Sequence, residues 1–160
     1  MKLKKCLSFV VLGIALIALA ACGKKSTEDI IKTELKDSYT GHSELPGYDS
    51  LIFTGGSQKI VFDKKNHKLK SGDEEVYYEV VPEDKLPKSM KGILTDHESE
   101  LKGKHYFIIN VGYHKDDIWG KVGDQLYFVV LTDGGKSIRI SEFETGYTTD
   151  GYFNFKGKAE

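Results

Sequence analysis

The sequence predicts a mainly β domain. Its expected architecture is an antiparallel meander forming a small barrel or curved sheet, with a short N-terminal helix and one or two short helices near the middle. Three observations predict it. Beyond residue 50, apolar and polar residues alternate with a period of two in most runs. Those runs are divided by turn residues, among them Gly55-Gly56, Gly72-Asp73 and Asp133-Gly134-Gly135. The period changes to a helical one in only two stretches, 27–38 and 83–102.

The elements follow in order. Ser26 is placed to cap a helix, with Asp29 three positions on as its partner. Ile31, Leu35 and Tyr39 then fall on one face beside Ile30, so the spacing predicts an amphipathic helix over 27–38 whose apolar stripe docks on the domain. Residues 40–49 hold Gly41, Pro46 and Gly47 and read as a loop. Strands are predicted at 50–54, 59–63, 68–71 and 75–81. Between Pro82 and Leu101, the residues Leu86, Met90, Ile93, Leu94, His97 and Leu101 recur at helical spacing, and Thr95 to Glu98 matches a capping box. Strands return at 104–113, 125–132, 137–143 and 152–155. The run 125–132 is apolar on both faces, which predicts a strand buried on both sides.

The N-terminus has a different composition. Lys2, Lys4 and Lys5 precede an apolar run from Leu7 to Leu19, and the small residues Ala20 and Ala21 precede Cys22. This is the layout of a secretory signal, too short for a comfortable membrane span. Leu19-Ala20-Ala21-Cys22 resembles the lipobox of bacterial lipoproteins. That resemblance implies diacylglyceryl attachment at Cys22 and cleavage before it. The organisation expected is therefore a signal at 1–21, a lipidated tether at 22–26 and one extracytoplasmic domain at 27–160. The membrane is the first expected partner, through the lipid on Cys22 at the outer face of the cytoplasmic membrane.

Composition narrows the chemistry. Loss of the three signal lysines leaves 20 of 23 basic side chains against all 24 acidic ones, a formal charge of −4. That balance disfavours nucleic acid as a partner. Arg139 is the one arginine, which fits a lysine-biased, low-GC Gram-positive source. Cys6 lies in the signal and Cys22 is taken by lipid, so the mature domain is expected to hold no disulfide, thiolate metal site or thiol nucleophile.

Two hairpin-like runs carry a second resemblance. Leu51-Ile52-Phe53-Thr54-Gly55-Gly56, with Lys59-Ile60-Val61-Phe62-Asp63, is the first; Leu126 through Ile140 is the second. Over roughly residues 48–143 this rhythm resembles small lipocalin-like lipoproteins of Gram-positive bacteria. The chain departs from typical lipocalins in lacking a Gly-x-Trp near its first strand; Trp119 comes far later. A cystatin-like α+β arrangement, with the N-terminal helix packed on an antiparallel sheet, is the competing reading.

No catalytic, metal or cofactor motif emerges. Ser57 follows Gly55-Gly56 in a polar turn and not at a strand-to-helix elbow, so it does not read as a nucleophile. His42, His67, His97, His105 and His114 share no metal-binding spacing. A surface metal site from His114 and Asp116, with Asp117 close by in sequence, would be thin in ligands. The acidic clusters Asp73-Glu74-Glu75 and Asp96, Glu98, Glu100 read as solvated turns or helix faces. Thirteen aromatics crowd the sequence from Tyr77 to Phe155, and Trp119 beside Gly120 is the candidate exposed contact. The function expected is a lipid-anchored, non-catalytic binding domain for an apolar ligand or a protein partner. The alternative is a protective or accessory envelope lipoprotein of immunity or exclusion type, and the third reading is a hydrolase with an unrecognised site.

Overall fold

Eight antiparallel strands close on themselves in sequence order, giving an up-and-down barrel. The structure, a computed structural model, describes residues 25–43, 51–115, 126–142 and 154–160. Helix α1 (Thr27–Thr33) precedes β1 (Ser38–Ser43), β2 (Gly56–Asp63), β3 (Lys68–Ser71) and β4 (Glu74–Val80). A single-turn 3-10 helix (Glu83–Lys85), α2 (Lys88–Asp96) and α3 (Glu98–Leu101) then lead to β5 (His105–Gly112). β6 (Leu126–Thr132), β7 (Ser137–Glu142) and β8 (Asn154–Ala159) complete the wall, and β8 returns to pair with β1. The barrel replaces the cystatin-like alternative, because the sheet closes through β8 and β1 around its own core and the N-terminal helix contributes Ile30 to that lumen core instead of covering an open sheet.

The lumen is a core. Alternation sends Tyr39, Ile60, Phe62, Leu69, Val76, Tyr78, Phe107, Ile109, Val111, Tyr127, Val129, Leu131, Ile138, Ile140 and Phe155 inward, and every one is buried. The large rings meet edge to face: Tyr39 and Phe62 are 6.1 Å apart, as are Phe62 and Tyr78. Burial pushes the Tyr78 hydroxyl up to about 12, so it stays neutral inside.

Both ends are stoppered by the chain itself. At one end α1 lays Ile30 and the following Leu35 into the core. At the other, Ile52 and Phe53 tuck into the mouth, where the Phe53 ring stands 4.5 Å from Tyr127. The alternation at 50–54 predicts a strand, yet described residues 51–53 bend inward as a plug. The helix predicted over 27–38 stops at Thr33, and Tyr39 belongs to β1. Ser26 caps α1 as expected, accepting the Asp29 amide at 3.2 Å. The expected capping box at Thr95 does not form; His97 occupies the N-cap of α3.

β1 is a strand that the sequence hides. Its residues Ser-Tyr-Thr-Gly-His-Ser carry one apolar side chain, Tyr39, and the glycine reads as a loop residue. Gly41 faces Gly157 of β8, and a Cβ at Gly41 would lie 2.1 Å from the Lys156 carbonyl oxygen. The closing seam of the barrel is thus tighter than a side chain permits.

β6 is buried on both faces, as the sequence predicts. Its inner side joins the lumen core. On its outer side Leu126, Phe128 and Val130, with Ile108 of β5, receive Val81, Leu86, Met90 and Leu101 from the helical excursion. The one arginine clamps that excursion: Arg139 on β7 pairs with Glu100 of α3, which also meets His97 Nδ1 at 3.2 Å. Burial alone would raise the Glu100 pKa, but Arg139 and His97 outweigh it and hold the carboxyl below its ordinary value.

Candidate functional site: a cationic groove on the barrel wall

Strands β6, β7, β8, β1 and β2 are neighbours around the barrel. A groove of about 660 Å³ crosses the wall they form. Its side chains come from outward positions of the pleat. Thr40 and His42 project from β1, Ser57 from β2, Ser137 and Arg139 from β7, and Lys156 and Lys158 from β8. Lys104 lies beside it at the start of β5, and Asp133 at the β6–β7 turn. The close seam at Gly41 and Gly157 forms part of the floor.

The electrostatics are one-sided. Four cationic side chains and a histidine line the groove with the carboxylate of Asp133, while Glu100 pairs with Arg139 and Glu160 accepts from Thr40. Lys158 Nζ donates to Ser137 Oγ at 2.7 Å and lies 4.0 Å from Asp133; Arg139 is held by Glu100. These pairings fix the geometry of Lys158 and Arg139. Hydroxyls of Thr40, Ser57, Thr132 and Ser137 are interleaved among them. Such a surface can accept an anionic group through charge-assisted hydrogen bonds. The opposite wall is balanced instead, with Lys68 and Lys70 both on Glu75, whose carboxyl those two cations hold below its ordinary pKa.

Of the residues that the sequence singles out for chemistry, the described residues bring together His97 with Glu100, within the helical excursion, and one pair at the groove. Ser57 meets His42, with Nδ1 and Oγ 3.4 Å apart across the β1–β2 pairing, a proximity that spacing along the chain does not reveal. Both residues are exposed, and among the described residues no carboxylate orients the imidazole, so the pair lacks the third member of a nucleophilic set. His105 and His114 lie at opposite ends of β5 and beyond; His105 turns to Glu34, and His114 is exposed. Among the described residues no group of three His, Cys, Asp or Glu side chains could hold a metal. Cys22, Trp119, Asp116 and Asp117 lie outside the described residues, as do Tyr152 and Phe153 of the last predicted strand.

The groove residues themselves escape sequence reading because five strands contribute them. One signal is present: Lys156 and Lys158 are two apart and so share a face, but the alternation predicts a last strand that ends at Phe155, whereas β8 runs on to Ala159.

A second constellation ties α1 to the barrel. Glu34, just past the helix, is one-tenth exposed and accepts Lys25 Nζ at 2.6 Å while lying 2.6 Å from His105 Nδ1. Hydrogen bonds from Lys25, then from His105, hold its carboxyl below the ordinary value against the opposing effect of burial. Tyr39 completes the joint: its hydroxyl accepts the Lys36 amide and donates to the Gly135 carbonyl, each at 2.9 Å. No family model, curated protein or solved structure matches this chain.

Proposed function

We propose that the chain is a lipid-anchored, non-catalytic binding module that engages an anionic partner through the cationic groove. The observation that carries this reading is the groove's lining, four cations and a histidine with the carboxylate of Asp133, on a mature chain of net negative charge. The lumen supports the same choice. Its inward side chains form a buried core stoppered at both ends, so the wall offers the accessible surface. Anchoring rests on Leu19-Ala20-Ala21-Cys22, and a tether of a few residues to α1 would hold the barrel near the membrane.

The test uses the mature protein and polyphosphate as probe, with neutral dextran as the control polymer. Lys156→Glu with Lys158→Glu is expected to weaken polyphosphate binding at least tenfold, and native binding is expected to fall steeply with added salt. Native protein that ignores polyphosphate, or a double variant that binds it as well, overturns the reading. Anchoring is checked separately: Cys22→Ser is expected to abolish incorporation of labelled lipid. Reproducible turnover in a broad hydrolase screen would remove the non-catalytic part.

A further inference from the structure

β2 is twice the length of its neighbour. It runs for eight residues and β3 for four, and the two pair only over Val61–Asp63 against Lys70–Lys68. On its other edge β2 pairs with β1 without interruption from Gly56 to Val61. Residues 56–60 thus have a ladder toward β1, and among the described residues no named strand pairs with them on the β3 side.

The direction of the peptide groups follows from the pleat. The Phe62 amide donates to the Asp37 carbonyl at 2.8 Å, on the β1 side. Alternation then turns the peptide groups of Lys59 and Ser57 away from β1, toward the gap. A cavity of about 610 Å³ lies there. Ser57, Gln58 and Lys59 all line it, and three consecutive strand residues are reached together only from the strand's edge.

The gap has walls. Ser71, Gly72 and Glu74 at the β3–β4 turn stand on one side, and Leu51, Ile52 and Thr54 on the other. Gln58 braces both: its Oε1 accepts the Thr54 amide at 2.9 Å, and its Nε2 donates to Ser71 Oγ at 3.4 Å. Tyr113, 54% exposed, contributes an aromatic face.

We propose that this edge accepts an extended peptide segment of a protein partner, added as a strand antiparallel to β2 where β3 stops short. Edge-facing N–H and C=O groups at alternate residues are matched by another strand, and main-chain pairing gives such complexes their affinity. The three β2 residues that line the gap, Ser57 to Lys59, span roughly 10 Å at ~3.4 Å each, room for a short segment. The recess selects a slender ligand over a second copy of the barrel. The β2 edge of that copy would be sunk between the same walls, and two recessed edges do not meet. Tyr113 and the partly buried Leu51 offer apolar contact to side chains of the incoming segment. This site is independent of the cationic groove, although Ser57 borders both.

The test is residue-resolved amide exchange on the full mature protein, alone and with a peptide selected on it from a displayed library of random twelve-residue segments. In the protein alone, the Ser57 and Lys59 amides are expected to exchange at least tenfold faster than those of Gln58 and Ile60, which bond toward β1. The selected peptide is expected to slow Ser57 and Lys59 at least tenfold. Lys59→Pro removes one edge-facing N–H and leaves the β1 ladder, so it is expected to weaken that peptide at least tenfold while Gln58 and Ile60 stay protected. Where the proline disturbs that ladder, an amide-to-ester exchange at Lys59 removes the same N–H without it. Slow exchange at Ser57 and Lys59 in the protein alone would show the edge already covered, by this chain or by a second copy, and overturns the proposal. So does a library yielding no peptide, a peptide that protects other residues, or unchanged affinity in a folded variant lacking the Lys59 N–H.

Discussion

Two residues decide how the N-terminal helix meets the barrel. Gly135 has φ +82°, and a Cβ there would lie 1.9 Å from the Glu34 carbonyl oxygen. Gly135→Ala therefore combines left-handed strain with displacement of the helix end, and the expected loss is about 2 kcal/mol or more. A urea midpoint equal to that of the native protein would contradict the contact. Glu34 supplies the ionic half of the joint. Its folded-state pKa lies below its unfolded value, so its contribution is fully present above the unfolded pKa of ~4.3 and is lost as pH falls through the lower, folded one. Glu34→Gln is expected to cost roughly 1–2 kcal/mol at neutral pH and to flatten stability against pH in the acid range. Urea titrations at a series of pH values below 5 would show it. An unchanged acid slope in the variant would mean that other carboxylates set it.

At the scale of the element, legibility tracks how many apolar side chains a strand commits. β6 commits six in succession, and the sequence alone shows that both its faces are covered. The described helices α2 and α3 explain the outer cover. Met90 is fully buried over Phe128 and Leu126, so Met90→Ala is expected to cost about 2–5 kcal/mol by calorimetry. A cost below 1 kcal/mol would mean that the helical excursion packs loosely. β1 commits one apolar residue, and its alternation is invisible without its neighbours; the register against β2 and β8 makes it a strand. Residues 51–54 show the converse error. Their apolar character is real, but it serves a plug, because burial in a barrel mouth asks for apolar groups without asking for a ladder. The candidate site is illegible for the same reason that β1 is: Thr40, His42, Arg139, Lys156 and Lys158 acquire a common surface only once the barrel closes.

For the whole molecule, the question is whether an eight-stranded barrel of this size is a vessel or a core. Such a barrel is just wide enough for side chains to fill it or for one small ligand to enter. Here the choice falls on Phe53. Its side chain is fully buried at the mouth, against Tyr127, and belongs to the same cluster as Ile140 and Phe155 deeper in. Phe53→Ala is expected to cost about 3–5 kcal/mol, because the surrounding wall is hydrogen-bonded and cannot collapse to fill the space. The same rigidity should leave an apolar void that a benzene-sized molecule can occupy, as engineered apolar cavities do. Thermal denaturation in the presence of toluene separates the two readings. If the lumen is a core, toluene raises the melting temperature of Phe53→Ala by a few degrees and leaves the native protein unaffected. If the lumen is a vessel, the native protein responds at least as strongly, since the void would already exist beneath the plug.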